Sequence, residues 1–182
     1  MFSFILFLMV SFFIKTYGCT ANQDNEAIMS GLLIEADFNI VNSFEDADVI
    51  IINSCTVKGV TENKIISELR NIKKKFPKKK VIISGCMAGA QEKQLKNEFS
   101  NFSFLSTQNT TKVVEVVKRI MKNDIVSFTS KGKEVKLNLP KIIKNKTVAV
   151  QISEGCADCC YFCITKLAKG HIFSFPEDQI IK

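Results

Sequence analysis

Four cysteines lie close together near the carboxyl end of this 182-residue chain, within residues 155–163 (GCADCCYFC). Cys156, Cys160 and Cys163 have the spacing C-x3-C-x2-C, and the aromatic Phe162 directly precedes the last of them. Three thiolates on so short a loop can hold one 4Fe–4S cluster and leave its fourth iron without a protein ligand. Such an iron can bind a substrate or a cofactor. The spacing therefore predicts a reactive iron–sulfur centre.

Other interpretations of this loop stay open at the level of spacing alone. One is a zinc site, although structural zinc usually takes four ligands and the only histidine of the chain, His171, is the one candidate nearby. Another is a disulfide framework. The fourth cysteine, Cys159, also permits a competing C-x2-C-x3-C set with Cys156 and Cys163.

The three remaining cysteines, Cys19, Cys55 and Cys86, each follow a short apolar run closely. They are separated by about the length of one βαβ unit, roughly 30 residues. Because the carboxyl ends of parallel strands meet at one edge of a sheet, we expect the three thiols to converge there and to hold a second iron–sulfur cluster. Gly18 and Gly85 would let the backbone turn tightly beside it. The alternative is three separate buried cysteines acting as small apolar residues.

From residue 11 to residue 121, short apolar runs alternate with segments of helical period. These elements form the framework that positions Cys19, Cys55 and Cys86. The predicted strands are residues 11–15, 38–41, 49–53, 81–84 and 103–105. The predicted helices are residues 25–36, interrupted by Gly31, then 61–75, and 111–121 with Thr111 as N-cap. This alternation indicates an α/β, Rossmann- or flavodoxin-like domain whose parallel sheet is covered on both faces.

Residues 123–146 break the pattern because they are polar, carry six lysines and contain Pro140. We interpret them as a linker that holds at most a short hairpin, and we interpret residues 147–152 as a new strand. The predicted organisation is an apolar extension (1–10), an α/β domain (11–122), the linker (123–146) and an incomplete second domain (147–182). We expect this last part to lack packing partners, because one strand and one helix bury too little to offset their ordering entropy.

Composition favours a globular protein of a reducing compartment, and we expect it in the cytoplasm. Hydrophobic residues make up 46% and charged residues 24%, and seven cysteines, an odd number, fit poorly with a secreted disulfide scaffold. The net charge of +7 permits a polyanionic partner such as RNA. The uncharged first 14 residues are short for a membrane span, which needs about 20, so we prefer a first strand after an added extension to a membrane-directing segment.

Five strings that contain the cysteines resemble the methylthiotransferase family. They are TYGCTAN (16–22), NSCTVKG (53–59), SGCMA (84–88), ISEGC (152–156) and CITKLAKG (163–170). The first three resemble the family's amino-terminal domain, and the last two resemble its radical S-adenosylmethionine (SAM) region. The ITKLA form resembles the archaeal and eukaryotic branch. The resemblance covers the chain from about residue 12 to residue 182.

The resemblance implies a chemistry. Members of the family attach a methylthio group to carbon 2 of an adenosine beside the tRNA anticodon, and the target of this branch is N6-threonylcarbamoyladenosine. By this resemblance, one 4Fe–4S cluster cleaves SAM and is held by Cys156, Cys160 and Cys163. The other 4Fe–4S cluster carries the sulfur on its open iron and is held by Cys19, Cys55 and Cys86.

Further roles follow from the same resemblance. Phe162 would contact the SAM adenine, and Cys159 would not be a ligand. Lys166 and Lys169 would contact phosphate or the SAM carboxylate, or else belong to a solvated basic face. The implied partners are tRNA and an electron donor that reduces the SAM-cleaving cluster, without a membrane.

The chain departs from the family in length, because a full (β/α) barrel takes roughly 250 residues and only residues 147–182 are left for it. We therefore expect an amino-terminal fragment of the enzyme that is itself inactive. Two alternatives are a methylthiotransferase for isopentenyladenosine in tRNA or for a ribosomal-protein aspartate, and a stand-alone iron–sulfur or RNA-binding module.

Overall fold

A computed structural model describes residues 9–56, 59–143 and 148–181. The helices are α1 (Thr20–Glu35), α2 (Gly59–Lys75), α3 (Cys86–Ala90), α4 (Glu92–Glu98), α5 (Val113–Met121), α6 (Ile164–Lys169) and α7 (Glu177–Ile180). The strands are β1 (Ser11–Thr16), β2 (Asn39–Ile40), β3 (Val49–Ser54), β4 (Lys80–Gly85), β5 (Ser103–Ser106), β6 (Ser127–Phe128), β7 (Ser153–Glu154) and β8 (Phe173–Ser174). A 3₁₀ helix (Thr107–Lys112) precedes α5.

A six-stranded parallel sheet in the order β2-β1-β3-β4-β5-β6 forms the centre of the molecule. Every residue of β3 is buried, as expected for an apolar strand in the middle of a parallel sheet with both faces covered. The predicted α/β fold is confirmed, and the five strands predicted between residues 11 and 105 all form.

The two faces of the sheet carry separate halves of the core. On one face, Ile50 and Ile52 of β3 pack with the α2 stripe of Ile65, Leu69 and Ile72. On the other face, the alternate β3 residues Val49 and Ile51 pack with apolar residues of α1 and α5. The period of two along the strand and the period near 3.6 along the helices together determine this division.

Helix α1 begins at Thr20, whereas the sequence predicted a start at residue 25. Its first turns are polar and lack an apolar stripe, yet Asn22, Asp24 and Asn25 are buried. The predicted interruption at Gly31 does not occur. A Cβ atom on Gly31 would lie 2.2 Å from the carbonyl oxygen of Pro140, so this glycine permits close packing instead.

Thr111 does not cap α5, which corrects a second prediction. It lies inside the 3₁₀ helix, and Lys112 occupies the position before α5. Both the amide and the hydroxyl of Thr111 donate to the carboxylate of Glu134. The hydroxyl is therefore engaged by a residue distant in sequence.

Residues 123–143 pack on the first domain. Ser127–Phe128 adds the sixth parallel strand, and no hairpin forms among these residues. The Ile142 amide donates to the carbonyl of Ala27 in α1 at 3.0 Å. Lys141 Nζ lies 2.6 Å from the buried carboxylate of Asp24. Lys136 Nζ likewise donates to Asn25 Oδ1 of α1 at 3.2 Å, so two lysines of this segment are tied to the first domain.

The predicted strand at residues 147–152 is wrong for its described part, 148–152. Val148, Val150 and Ile152 alternate as a strand would, but their side chains are exposed and none of them lies in a strand. The Ile152 carbonyl extends the nearby ladder, where it accepts from the Phe175 amide at 2.9 Å. The ladder is instead the antiparallel pair β7–β8. The predicted start of a (β/α) barrel stays a prediction.

The described part of the last segment, 148–181, does have packing partners, which corrects the expectation that it would lack them. Thr107 Oγ1 donates to the carbonyl of Ala168 at 3.2 Å, and Gln108 Nε2 donates to that of Lys169 at 2.8 Å. Among the described residues, none of the helices is both long and apolar enough to cross a membrane. Residues 1–8 of the predicted extension lie outside the described part of the chain.

Candidate metal centres

Cys19, Cys55 and Cys86 follow three strands that are neighbours in the sheet. Cys19 is the extended residue before α1, Cys55 directly follows β3, and Cys86 is the first residue of α3 after β4. Since β1 pairs with β3 and β3 with β4, all three cysteines lie at the same carboxyl edge. We call this group the sheet-edge site.

The three thiols lie near Asn22 and Gly18 at this edge of the sheet. The side-chain oxygen of Asn22 lies 3.9 Å from Cys19 Sγ and 3.8 Å from Cys86 Sγ. Cys55 Sγ packs against Gly18, where a Cβ atom would lie only 3.0 Å from it. The structure thus brings the predicted triplet together, and the cluster assigned to it stays a prediction.

A pair of buried asparagines, which the sequence analysis did not single out, fixes this edge. Asn22 Nδ2 donates to the carbonyls of Tyr17 at 2.8 Å and Ser54 at 3.0 Å. Asn53 Nδ2 donates to the carbonyl of Asn22 at 2.8 Å and to Thr16 Oγ1 at 3.2 Å. The loops that carry Cys19 and Cys55 are therefore tied together. Both asparagines stand within the cysteine-containing strings, and that position was the available signal.

Both glycines of the sheet-edge site have positive φ, which fits the tight backbone turns expected beside the cysteines. Gly18 has φ 111° and Gly85 has φ 90°. A Cβ atom on Gly85 would lie 2.4 Å from the carbonyl oxygen of Ser54. Only glycine fits both the backbone conformation and the space at this position.

The environment of Cys86 differs from that of an exposed thiol. Burial raises the pKa of Cys86 to about 11, and the neighbouring Cys55, Cys19 and Glu154 act in the same direction, while Lys169 lowers it. Cys86 is therefore a protonated thiol at neutral pH in the metal-free chain. A metal that binds there must displace this proton, as metals bound by thiolates do.

Cys156, Cys160 and Cys163 lie on a loop that closes through backbone and lysine contacts, which we call the loop site. The Cys156 amide donates to the carbonyl of Gly170 at 3.2 Å. The Cys156 carbonyl accepts from Lys166 Nζ at 2.7 Å. The Cys163 amide donates to the carbonyl of Cys160 at 3.1 Å, which forms a tight turn between these two ligand candidates.

The cysteines of this loop are more accessible than Cys55 and Cys86 at the sheet edge. Cys159 and Cys160 are exposed, and Cys156 and Cys163 are partly exposed. Hydrogen bonds from the Thr165 hydroxyl, the Thr165 amide and the Lys166 amide lower the pKa of Cys163, which precedes α6. Phe162 is 90% exposed, and its predicted contact with SAM stays a prediction.

A single metal ion is not what this geometry suits. In residues 9–56, 59–143 and 148–181, no three His, Cys, Asp or Glu side chains are close enough together to hold one ion. A 4Fe–4S cluster does not need three sulfurs around one ion. Each thiolate binds a different iron of the cluster, so the sulfurs can lie farther apart. The sheet-edge triplet fits such a group in donor type and in its common location at the carboxyl edge of the sheet.

The fold and the cysteines define a class of protein: a parallel α/β domain with a thiol site at its sheet edge and a second cysteine loop packed beside it. Residues 11–106 match the model of the family described as Uncharacterized protein family UPF0004. Because the match covers more than half of the chain, the protein belongs to this family.

Curated proteins similar to the chain carry informative names. A "Probable threonylcarbamoyladenosine tRNA methylthiotransferase" of Methanothermobacter thermautotrophicus is 34% identical over 93% of this chain and 40% of its own length. The human "Threonylcarbamoyladenosine tRNA methylthiotransferase" is 31% identical over 92% of this chain and 30% of its own length. A "tRNA-2-methylthio-N(6)-dimethylallyladenosine synthase" of Thermotoga petrophila is 35% identical over 94% of this chain and 39% of its own length.

These relatives confirm the resemblance to methylthiotransferases that the cysteine strings indicated. The chain spans 30% to 40% of the length of the relatives described here.

Proposed function

We propose that the protein is a tRNA methylthiotransferase that converts N6-threonylcarbamoyladenosine beside the anticodon to its 2-methylthio derivative. The observation that carries this proposal is the common place of Cys19, Cys55 and Cys86 at one edge of the sheet, where Cys19 and Cys86 both contact Asn22 and Cys55 packs against Gly18. The names of the archaeal and vertebrate relatives support the same substrate. Because the chain spans less than half of those relatives, the proposal concerns a protein of their full length.

The two cysteine sites have different assigned roles. One 4Fe–4S cluster is held by Cys19, Cys55 and Cys86, and the SAM-binding 4Fe–4S cluster is held by Cys156, Cys160 and Cys163. When bound, the clusters and SAM supply the sulfur and the radical that acts on an unreactive aromatic C–H bond, which side chains alone cannot activate.

In this proposal, the side chains of the protein bind the clusters and shield them from water. Cys55 and Cys86 are buried and form the inner wall of the sheet-edge site, whereas Cys19 is exposed and marks its open side. Asn22 and Asn53 hold the backbone on which two of these ligands stand. Phe162, which is exposed beside Cys163, would contact the adenine of a bound SAM.

The remaining assignments follow the same proposal. Residues 11–122 hold the first cluster, and residues 147–182 begin the SAM-binding domain after the linker 123–146. The net charge of +7 suits a tRNA partner. An external electron donor reduces the SAM-binding cluster, and the protein acts in the cytoplasm.

Anaerobic reconstitution tests the proposal. The full-length protein is expected to bind about eight irons as two four-iron clusters, to cleave SAM and to methylthiolate tRNA that carries N6-threonylcarbamoyladenosine. Replacing Cys19, Cys55 and Cys86 by Ala is expected to halve the iron and to abolish methylthiolation while SAM cleavage continues. A triple variant that keeps all its iron would contradict the assignment of the sheet-edge site.

A second substrate has a specific observation in its favour, because the Thermotoga relative is named for dimethylallyladenosine. Parallel assays with tRNA that carries only one of the two modified adenosines distinguish the candidates. Turnover of the dimethylallyl substrate alone would replace the first proposal. A ribosomal-protein substrate serves as a third arm, and iron binding without any turnover would favour the stand-alone module.

A further inference from the structure

Three charged side chains, one fully and two largely buried, lie between the two cysteine sites. Lys136 Nζ lies 2.8 Å from one carboxylate oxygen of Glu154, and Lys169 Nζ lies 3.7 Å from the other. The side chains are only 0%, 9% and 15% exposed for Lys136, Glu154 and Lys169. Lys136 Nζ also donates to Asn25 Oδ1 at 3.2 Å. We call Lys136, Glu154 and Lys169 the buried ion cluster.

Each residue of the buried ion cluster lies close in sequence to a cysteine site or contacts a helix that follows one. Glu154 ends β7, two residues before Cys156, and Lys169 ends α6, the helix that follows Cys163. The ion cluster therefore holds the loop site at its entrance and at its exit. Lys136 lies in the segment that packs on α1, and its partner Asn25 belongs to α1, the helix that follows Cys19.

A second set of contacts joins the same two sites. Helix α6 packs on α3, which begins with Cys86. The packing is close because position 89 is glycine: a Cβ atom there would lie 3.1 Å from the carbonyl oxygen of Ala168. Lys169 and Glu154 both lie near enough to Cys86 to act on its thiol electrostatically. The ion cluster thus spans the space between the loop site and the sheet-edge site.

Removing three charges from water costs free energy of desolvation, so stability alone does not explain this arrangement. Desolvation of an ion pair often cancels its Coulomb attraction, and apolar residues of similar volume often stabilise a protein as well or better. What a buried charge network can provide instead is one defined geometry, because its alternatives leave a charge without a partner. A reaction that uses two centres on one substrate needs such geometry, since small misplacements lower the rate strongly.

We propose that the buried ion cluster of Lys136, Glu154 and Lys169 fixes the position of the loop site relative to the sheet-edge site. The three residues are positioning residues, and Glu154 is the central one because it contacts both lysines. The proposal rests on the proposed function only in assigning the two cysteine sites to one reaction. The geometric part concerns the metal-free chain.

Amide hydrogen exchange of the metal-free 182-residue chain tests the geometric part. Glu154→Gln keeps the size of the side chain but removes its charge, and it is expected to speed exchange in peptides within residues 153–175 about tenfold or more through local opening. Lys136→Met and Lys169→Met are expected to have smaller effects, because Glu154 then keeps one lysine. Peptides within residues 49–54 are expected to be unchanged.

Glu98→Gln is the matched control. Glu98 accepts two hydrogen bonds from Arg70 on the surface, away from both cysteine sites, and its loss is expected to leave residues 153–175 unaffected. Exchange in Glu154→Gln that equals that of the parent would overturn the proposal. An equal acceleration in Glu98→Gln would overturn it as well.

In the full-length, reconstituted protein, the ratio of SAM cleaved to product formed distinguishes positioning from a general effect on stability. In Glu154→Gln, the amount of SAM cleaved per methylthiolated product is expected to rise about tenfold, because cleavage needs only the loop site while transfer needs both. General destabilisation would lower the two activities in parallel, and an unchanged ratio would overturn the proposal. If the parent fails to bind iron, the proposed function fails, while the exchange experiment still decides the positioning.

Discussion

The two cysteine sites differ in what holds them. The sheet-edge site stands on β1, β3 and β4, three adjacent parallel strands of six residues each with core on both faces. The loop site stands between two strands of two residues and beside a helix of six. Cys55 and Cys86 are buried, whereas Cys160 is exposed. One site is part of the core, and the other is attached to it.

This difference teaches which kind of contact each site depends on. The sheet-edge site follows from apolar packing and strand register, which act over many residues at once. The loop site depends on a few directional contacts: the buried ion cluster, the approach of Gly89 to Ala168, and the lysine that closes the loop. Mutations are therefore expected to act globally at the first site and locally at the second.

The largest effect is expected in the core beneath the sheet-edge site. Ile51→Ala removes a fully buried side chain from β3 and should lower the free energy of unfolding by about 2–5 kcal/mol, through lost transfer energy and a cavity. Ile152→Ala, at a 60% exposed position before the loop site, should change it by less than about 0.5 kcal/mol. Urea denaturation measures both, and equal effects would refute the contrast between the two regions.

The next effect concerns the asparagine that joins the two loops at the sheet edge. Asn22→Ala leaves the carbonyls of Tyr17 and Ser54 without their donor, at a cost of about 1–3 kcal/mol for each group that stays buried and unpaired. Iron bound at the sheet-edge site should fall with the stability, while iron at the loop site remains. Asn101→Ala, at an exposed position, is the control. Normal stability and iron in Asn22→Ala would show that water replaces the amide.

Much of the sheet-edge site could be predicted from the sequence because its determinants are local. Runs of four or five mostly apolar residues identified β1, β3 and β4, and the rule that parallel strands end at one edge then placed Cys19, Cys55 and Cys86 together. Strand β6 escaped prediction because Ser127–Phe128 lies in the polar, lysine-rich stretch that we interpreted as a linker.

The attachment of the loop site could not be predicted, because its determinants are distant pairs of charged residues. Lys136 and Lys141 belong to a lysine-rich segment that composition alone describes as solvated. They are instead paired with Glu154 and Asp24, which follow or precede them by many residues. The sequence does not distinguish a buried, paired lysine from an exposed one. A polar segment that packs on the core therefore looks the same in sequence as a solvated linker.

A smaller effect on stability is expected at two glycines, one at each cysteine site. Gly85 and Gly155 both have positive φ, and a Cβ atom would lie 2.4 Å from the Ser54 carbonyl oxygen or 2.3 Å from that of His171. Gly85→Ala is expected to lower the global stability by about 1–3 kcal/mol, because strain at the sheet edge affects the whole core. Gly155→Ala is expected to leave the denaturation midpoint within error.

The local consequence of Gly155→Ala is expected in hydrogen exchange, which should accelerate at residues 153–175 while β3 stays protected. Gly59→Ala is the control, because a Cβ atom there meets nothing within 4 Å. A drop in global stability for Gly155→Ala that matches Gly85→Ala would mean that the loop site is part of the core.

The smallest effect is expected for the fourth cysteine of the loop. Cys159 and Cys160 are both exposed neighbours, so burial does not distinguish them. The carbonyl of Cys160 accepts from the Cys163 amide, which places Cys160 in the turn that leads to Cys163. Cys159→Ala is therefore expected to leave iron content and SAM cleavage of the full-length protein unchanged, whereas Cys160→Ala should remove the loop-site iron. Anaerobic iron analysis of the two variants, each compared with the parent, decides between the C-x3-C-x2-C set and the C-x2-C-x3-C set. The reverse result would assign Cys159 as the ligand and would leave the sheet-edge site untouched, since the two sites are built from separate parts of the chain.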